Sequence, residues 1–282
     1  MFESIKKLFS TNVEEPQPAV EKRVENFESA EKIFEHFKAV TGMNFNKKEE
    51  ITKNKIINYC KRNGIYSFDE LYQKITTSKD AMQKLIDYLT VNETFFYREI
   101  DQVELLCEIA KRSHDNFSIL CAPCATGEEV YTIIISLLES GVSVHKINIV
   151  GIDINATAIE MAKEGKYSAR SLNKLSESLI ERYFTKKDDK FEIKNELKRM
   201  TTFMQMNVFD EKLKSIGKFD YIFSRNMFIY FNEEERRKAT NAFCSLLKEH
   251  NGYMFFGHAD KVEKTECLIE HHIGRTKLYL RA

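Results

Sequence analysis

The sequence has no surplus of charge in either direction: Lys and Arg number 43, as do Asp and Glu, in a chain of 282 residues. A general nucleic-acid binder carries a basic excess to meet phosphates, so that class is set aside. Long apolar runs are missing too. No stretch approaches the length of a membrane-spanning helix, and the opening residues Met1–Phe9 lack the apolar region of a secretory signal. A cytoplasmic protein with no membrane insertion is therefore expected. The seven histidines form no cluster, no internal repeat is visible, and no metal site is expected. The six cysteines are scattered through a chain without secretory features, which predicts reduced thiols. Cys121 and Cys124 have the C-x-x-C spacing of redox and zinc sites. No second C-x-x-C completes a zinc site, and Cys121 ends a strand-like run instead of opening a helix, so both are read as small buried residues.

Proline is nearly confined to the first 29 residues, which hold two of the three (Pro16 and Pro18) among many charges. That composition predicts a flexible tail over 1–29. Met1, Phe2, Ile5, Leu8 and Phe9 fall on one face of a short helix there, read as frayed rather than as a docking segment. Residues 30–91 read as a compact helical domain. Helices are predicted over Ala30–Thr41, Ile51–Asn63 with Gly64 as its stop, Ser67–Ile75 behind a Ser-Phe-Asp-Glu capping box, and Lys79–Leu89. From about residue 115 strand-like runs alternate with helices: Phe117–Cys121, Asn148–Ile152, Thr202–Met206, Phe219–Phe223 and Tyr253–Phe256. This is the pattern of an α/β domain, 92–282, with a mostly parallel sheet. A short hairpin with a charged tip, Lys186–Lys190, marks a small β insertion at about 181–200.

The first strand runs into Cys121-Ala-Pro-Cys-Ala-Thr-Gly-Glu-Glu129, then a helix with an apolar face of Val130, Ile133, Ile134, Leu137 and Leu138. A glycine at this turn lets backbone approach a ligand. G-x-G-x-x-G is absent, so a pyrophosphate clamp is weakly supported. Glu128 and Glu129 at the helix start would repel phosphate and suit a cation or amino group, although acids there also simply complement the helix dipole. The second strand ends in Asp153, where dinucleotide sites place an acid for ribose hydroxyls. Together these features favour a nucleoside-bearing cofactor.

Four segments in order, with a fifth after them, resemble the chemotaxis-receptor glutamate O-methyltransferases of the CheR type. They are Val91-Asn-Glu-Thr-Phe-Phe-Tyr-Arg-Glu99; Ala125-Thr-Gly-Glu-Glu-Val-Tyr131; Gly151-Ile-Asp-Ile-Asn155 with Ala162-Lys-Glu-Gly-Lys-Tyr167; Phe219-Asp-Tyr-Ile-Phe-Ser-Arg-Asn-Met-Phe-Ile-Tyr-Phe231; and Gly252-Tyr-Met-Phe-Phe-Gly-His258. The resemblance covers about residues 30–282. It implies a Rossmann-like class I S-adenosylmethionine (SAM) methyltransferase sheet with a small antiparallel insertion and an all-helical N-terminal domain. It implies SAM as cofactor and S-adenosylhomocysteine as product. By the same likeness Asn92, Thr94 and Arg98 close over SAM, Glu129 faces its methionine end, Asp153 its ribose, and Asn207 and Val208 its adenine. Arg225 and Asn226 match an Arg-Asn pair. Arg98 and Tyr230 are the residues implied in catalysis. Two departures stand out: Ser224 replaces a usual Cys, and His258-Ala-Asp-Lys replaces His-Ser-Glu-Asn.

The implied reaction esterifies receptor glutamates for sensory adaptation. A glutamate, ionised above about pH 4.3, needs no general base to attack a methyl group. Alternatives are a non-catalytic SAM-binding adaptor of receptor arrays, or a methyltransferase for another protein or a small molecule. The absence of any Pro-Pro counts against the amide and adenine methyltransferases, and the filled polar positions count against the adaptor. Between Thr41 and Tyr66 six basic residues face two acids. The family meets the receptor's acidic methylation helices with a basic helix here, which assigns Lys53, Lys55, Lys61 and Arg62 to that contact. The insertion, Tyr183–Ile193, contains no glycine and is short, which predicts that the protein works without a receptor tether pentapeptide; a monomer is expected.

Overall fold

A computed structural model describes residues 25–45, 48–112 and 116–282. Four helices come first: α1 (Glu31–Thr41), α2 (Glu49–Arg62), α3 (Phe68–Thr77) and α4 (Lys79–Leu89). Their ends follow from local chemistry. Gly64 lies past the end of α2, and the Ile65 N–H donates back to the Cys60 carbonyl at 2.9 Å. Ser67 Oγ accepts the Glu70 N–H at 3.1 Å, as its capping box predicts, but the Glu70 carboxylate takes the Tyr66 N–H, one residue early. Ser78 caps α4 through the Ala81 N–H. The expected tail ends sooner than residue 29. Asn26 bridges to Ser67, Phe27 packs edge-on to Phe68 at 5.1 Å, and Glu25 pairs with Lys61 at 3.1 Å, so residues 25–29 belong to the helical layer. The Met1–Phe9 segment lies outside the described residues.

The remainder is α5 (Ile100–Lys111), β1 (Phe117–Cys121), α6 (Glu128–Glu139), β2 (Ile147–Asp153), α7 (Ala156–Glu164), β3 (Lys166–Ser168), α8 (Glu177–Tyr183), β4 (Phe184–Lys187), β5 (Lys190–Ile193), α9 (Asn195–Lys198), β6 (Thr201–Gln205), β7 (Tyr221–Ser224), α10 (Glu233–Leu246), β8 (Tyr253–Phe256), β9 (Leu268–Ile273) and β10 (Thr276–Arg281). The main sheet has the order β6-β2-β1-β7-β8-β10-β9. Its first five members are parallel, and β10 runs antiparallel to β8 and β9. The chain winds outward from β1 to β2 and β6, then crosses back to β7 on the other side. The crevice above β1 and β7 is thus the topological switch point, where such sheets bind ligands.

Strand alternation divides the core. Ile119, Cys121, Ile149, Phe223 and Phe255 face α5 and α6, meeting Leu106, Val130, Ile133 and Leu137. Leu120, Ile152, Ile222, Met254 and Phe256 face the other way, and their cluster continues without a break into Ile33, Phe37, Ile56 and Leu85 of the helical layer. Polar contacts reinforce this junction. The first backbone donors of α7 are all taken: Asp87 of α4 accepts from Ala156 (2.9 Å) and Thr157 (3.1 Å), and Asn155 Oδ1 accepts from Ala158 (2.7 Å).

Two expectations need correction. The insertion is a three-stranded antiparallel sheet, β3-β5-β4, that begins at Lys166 and not near 181. Its first strand, β3, is three residues long, too short to carry a period. Of the six cysteines expected to be reduced, Cys244 and Cys267 form a disulfide between α10 and the segment before β9; Cys60, Cys107, Cys121 and Cys124 are free and buried.

Candidate active site

A cavity opens over the carboxyl ends of β1, β2, β6 and β7. All ten residues singled out from the sequence (Asn92, Thr94, Arg98, Glu129, Asp153, Asn207, Val208, Arg225, Asn226 and Tyr230) line it. The helical layer contributes Met43 and Thr90, so the cavity lies at the junction of the two layers.

On the floor, Asp153 Oδ2 accepts the Ala125 N–H and Oδ1 accepts the Asn155 N–H, each at 2.8 Å. Burial raises its pKa, and these bonds oppose the rise. The two acids of the neighbouring turn part company. Glu128 is 3% exposed, turns away to the Thr126 hydroxyl at 2.5 Å, and does not line the cavity. Only Glu129 does. Its Oε2 takes the Arg225 Nε–H at 2.5 Å, while its buried Oε1 has no hydrogen-bond partner among the described residues. An orphaned buried carboxylate oxygen is costly unless a donor meets it, and a bound ammonium would be such a donor. Gly127, expected to admit a ligand, has a different reason. A Cβ there would stand 3.0 Å from Ala162 Cβ and 3.1 Å from the Tyr167 hydroxyl, so the missing side chain lets α6 start against α7 and β3. Cys124 also lines the cavity, yet burial pushes its thiol and that of Cys121 far up, holding both as neutral, poorly nucleophilic groups.

The strap 90–99 forms a second wall. Arg98 does not pair with Glu99 or Asp101; its Nη1 donates to the Glu93 carbonyl at 2.6 Å, folding the strap on itself. Tyr97 and Glu99 on either side have φ of 60° and 47°, and Ala125 and Asn226 across the cavity have 45° and 60°. Left-handed backbone at non-glycine residues costs energy and persists only where neighbours fix it. Arg225 is the main fixture. Buried at 5% exposure, it donates to Glu129 and, at 2.9 Å each, to the Glu99 and Arg98 carbonyls. Those donors are thus spent on the protein itself, and Arg225 acts as a brace between strap, turn and β7.

The third wall is Met206, Asn207 and Val208 after β6. Both polar ends of Asn207 are engaged, Nδ2 with the Val40 carbonyl at 2.9 Å and Oδ1 with the Phe209 N–H at 3.0 Å. Its side chain therefore ties the helical layer to the wall, and Met206 and Val208 supply apolar surface. The loop after β7 completes the cavity with Asn226 and Tyr230. Burial raises the Tyr230 phenol pKa, with Arg98 opposing, so the hydroxyl is a neutral donor.

Sequence reasoning missed three residues. Glu99 receives the Asn226 Nδ2–H (3.4 Å) and the His258 N–H (3.2 Å); Asp260 receives N–H groups of the β7 loop; and Asp87 caps α7. Glu99 closes the segment Val91–Glu99 by position alone, and nothing in the pattern of the other two marks them before the layers are assembled.

The family model described as "CheR methyltransferase, SAM binding domain" matches residues 92–277. A chemotaxis protein methyltransferase of Campylobacter jejuni is 36% identical over 227 residues, covering 80% of this chain and 86% of the relative. Chemotaxis protein methyltransferase 2 of Vibrio cholerae is 31% identical, covering 72% and 73%. The chemotaxis protein methyltransferase of Escherichia coli K12 is 27% identical, covering 78% and 79%.

Proposed function

The chain belongs to the CheR methyltransferase family, whose cofactor is S-adenosylmethionine, and we propose that it esterifies glutamate side chains on the cytoplasmic helices of chemotaxis receptors. The observation that carries the reading is the half-orphaned Glu129 in one cavity with Asp153, Arg98 and Tyr230. The lining fits the cofactor by chemistry. Glu129 Oε1 suits an ammonium, the lone pairs left on Asp153 suit a ribose diol, and Met206 and Val208 suit a flat base. When bound, S-adenosylmethionine supplies a methyl group on a sulfonium, which a carboxylate oxygen attacks as the carbon–sulfur bond breaks.

The chain's own residues then have a positioning task. A substrate glutamate, with pKa about 4.3, arrives ionised at neutral pH. Arg98 has spent one donor on Glu93, and its remaining N–H groups are available to orient a carboxylate. The Tyr230 hydroxyl offers a further donor beside it. The strap and the helical layer exclude water, which strengthens these contacts and favours a step in which opposite charges cancel.

The receptor contact is assigned to α2. Lys55 is exposed there, Lys61 pairs with Glu25, Lys53 donates to the Glu28 carbonyl, and the Arg62 guanidinium stands 5.9 Å from the Tyr88 ring. These basic side chains would complement the acidic methylation helices. Tether independence is supported by the insertion's two-residue Asp188-Asp189 turn, whose charged, glycine-free backbone offers little purchase to an added peptide strand.

The test uses purified protein, S-adenosylmethionine labelled in its methyl group, and receptor-bearing membranes. Alkali-labile label on the receptor is expected, because methyl esters hydrolyse in base. Cofactor binding without transfer supports the adaptor reading instead, and alkali-stable label an amine or amide acceptor.

A further inference from the structure

One carboxylate outside the cavity grips the loop that forms its last wall. Asp260, half-buried just after β8, accepts the Asn226 N–H (2.5 Å) and the Gly257 N–H (2.9 Å) on Oδ2, and the Ile229 N–H (3.3 Å) on Oδ1. Gly257 makes this close packing possible. A Cβ there would lie 2.7 Å from Asn226 N and 2.9 Å from Asp260 Oδ2. The gripped segment begins at Asn226, one of the left-handed residues of the site, and ends beside Tyr230. Both of these line the cavity and Asp260 does not.

We propose that Asp260 is a positioning residue for methyl transfer: its ionised carboxylate fixes loop 226–230 and thereby presents Asn226 and Tyr230 to the reacting groups. The proposal rests on the methyl-transfer reading above. Its physical basis is that both oxygens are used as acceptors. Protonation turns one of them into a donor facing an N–H, and the grip on either Asn226 or Ile229 weakens. Among the described residues no cation pairs with Asp260, so burying its charge works against the fold. Burial pushes its pKa up to about 6, opposed by the backbone N–H groups. The carboxylate that accepts all three N–H bonds is therefore the main form only above that pH, and by linkage the raised pKa means that protonation rearranges the grip without releasing the loop.

Other titratable groups surround the grip. The strap brings Arg98 and Glu99, the start of α5 brings Asp101, the β7 loop brings Arg225 and Tyr230, and Asp260's own segment brings His258 and Lys261. His258 lies 3.5 Å from Asp101, so a variant of Asp260 is required to separate the two.

The experiment compares parent, Asp260→Asn and Asp260→Glu in full-length protein. Methyl transfer by the parent should fall with an acid limb near pH 6. Asp260→Asn should be slower at neutral pH by roughly tenfold or more, bind S-adenosylmethionine within about twofold of the parent, and lack that limb. Asp260→Glu, which keeps two acceptor oxygens, should regain part of the rate. Independently of activity, the Asn226 and Gly257 amide resonances should titrate with the same midpoint in the parent and exchange with solvent faster in Asp260→Asn. Parental transfer rates in Asp260→Asn, or amides indifferent to pH and to the substitution, overturn the proposal. A parent that transfers no methyl group at all removes the functional reading, and the amide measurement still decides whether Asp260 holds the loop.

Discussion

At the scale of the residue, the cavity is built from polar groups whose loyalties are divided between the protein and a ligand. Asp153 gives one lone pair of each oxygen to backbone N–H groups and keeps the others. Asp153→Ala should therefore weaken S-adenosylmethionine and S-adenosylhomocysteine alike, by about tenfold or more, since hydrogen bonds to a charged group are worth about 1.5–3 kcal/mol each. Calorimetry on folded variant protein checks this, and parental affinity there contradicts the assignment. Arg98 is placed differently: it lines the cavity, but its one described hydrogen bond is to its own strap. Arg98→Ala should slow methyl transfer more than it weakens cofactor binding. Normal transfer by that variant removes Arg98 from catalysis. Side-chain identity was legible at these positions because a strand end or a dense motif carried them. Glu128 and Gly127, from the same motif, do not line the cavity. Helical rotation sends Glu128 to Thr126 instead of the cavity, and the crowding that demands Gly127 comes from Ala162 and Tyr167, distant in sequence.

At the scale of the element, local signals fixed the helices well: Ser67 caps where expected, and α4 spans the predicted Lys79–Leu89. The parallel strands were readable from their apolar runs. The three-residue β3 was not, because its place in the insertion is set by pairing with β5. Nor was the Cys244–Cys267 pairing, which joins residues brought together only when α10 packs. The functional claim at this scale concerns α2. Reversing Lys55 and Lys61 to Glu should slow receptor methylation, with an effect that shrinks as salt rises, because rim charges act chiefly on encounter. Loss of the exposed Lys61–Glu25 pair should cost about 1 kcal/mol or less, so the fold survives the change. Equal methylation rates for double variant and parent at low salt contradict the assignment.

At the scale of the whole molecule, the two domains read from the sequence share one core and build one cavity between them. The Val40 carbonyl holds Asn207, the Asn44 N–H donates to the Tyr230 carbonyl at 2.8 Å, and Gln83 donates to the Ile154 carbonyl at 2.9 Å. A boundary at residue 91 thus divides the chain by composition but not by packing. The helical layer closes the site over the carboxyl ends of the sheet and carries the basic helix assigned to the substrate. That arrangement suits a long helical substrate that delivers one side chain into a cavity at the junction. The most direct measurement is mass-spectrometric mapping of receptor peptides after incubation with this protein and S-adenosylmethionine. Methyl groups on glutamate side chains of the cytoplasmic helices, lost on mild alkaline treatment, are predicted; methyl groups on lysine, asparagine or glutamine, or none at all on a receptor that the protein binds, contradict the account.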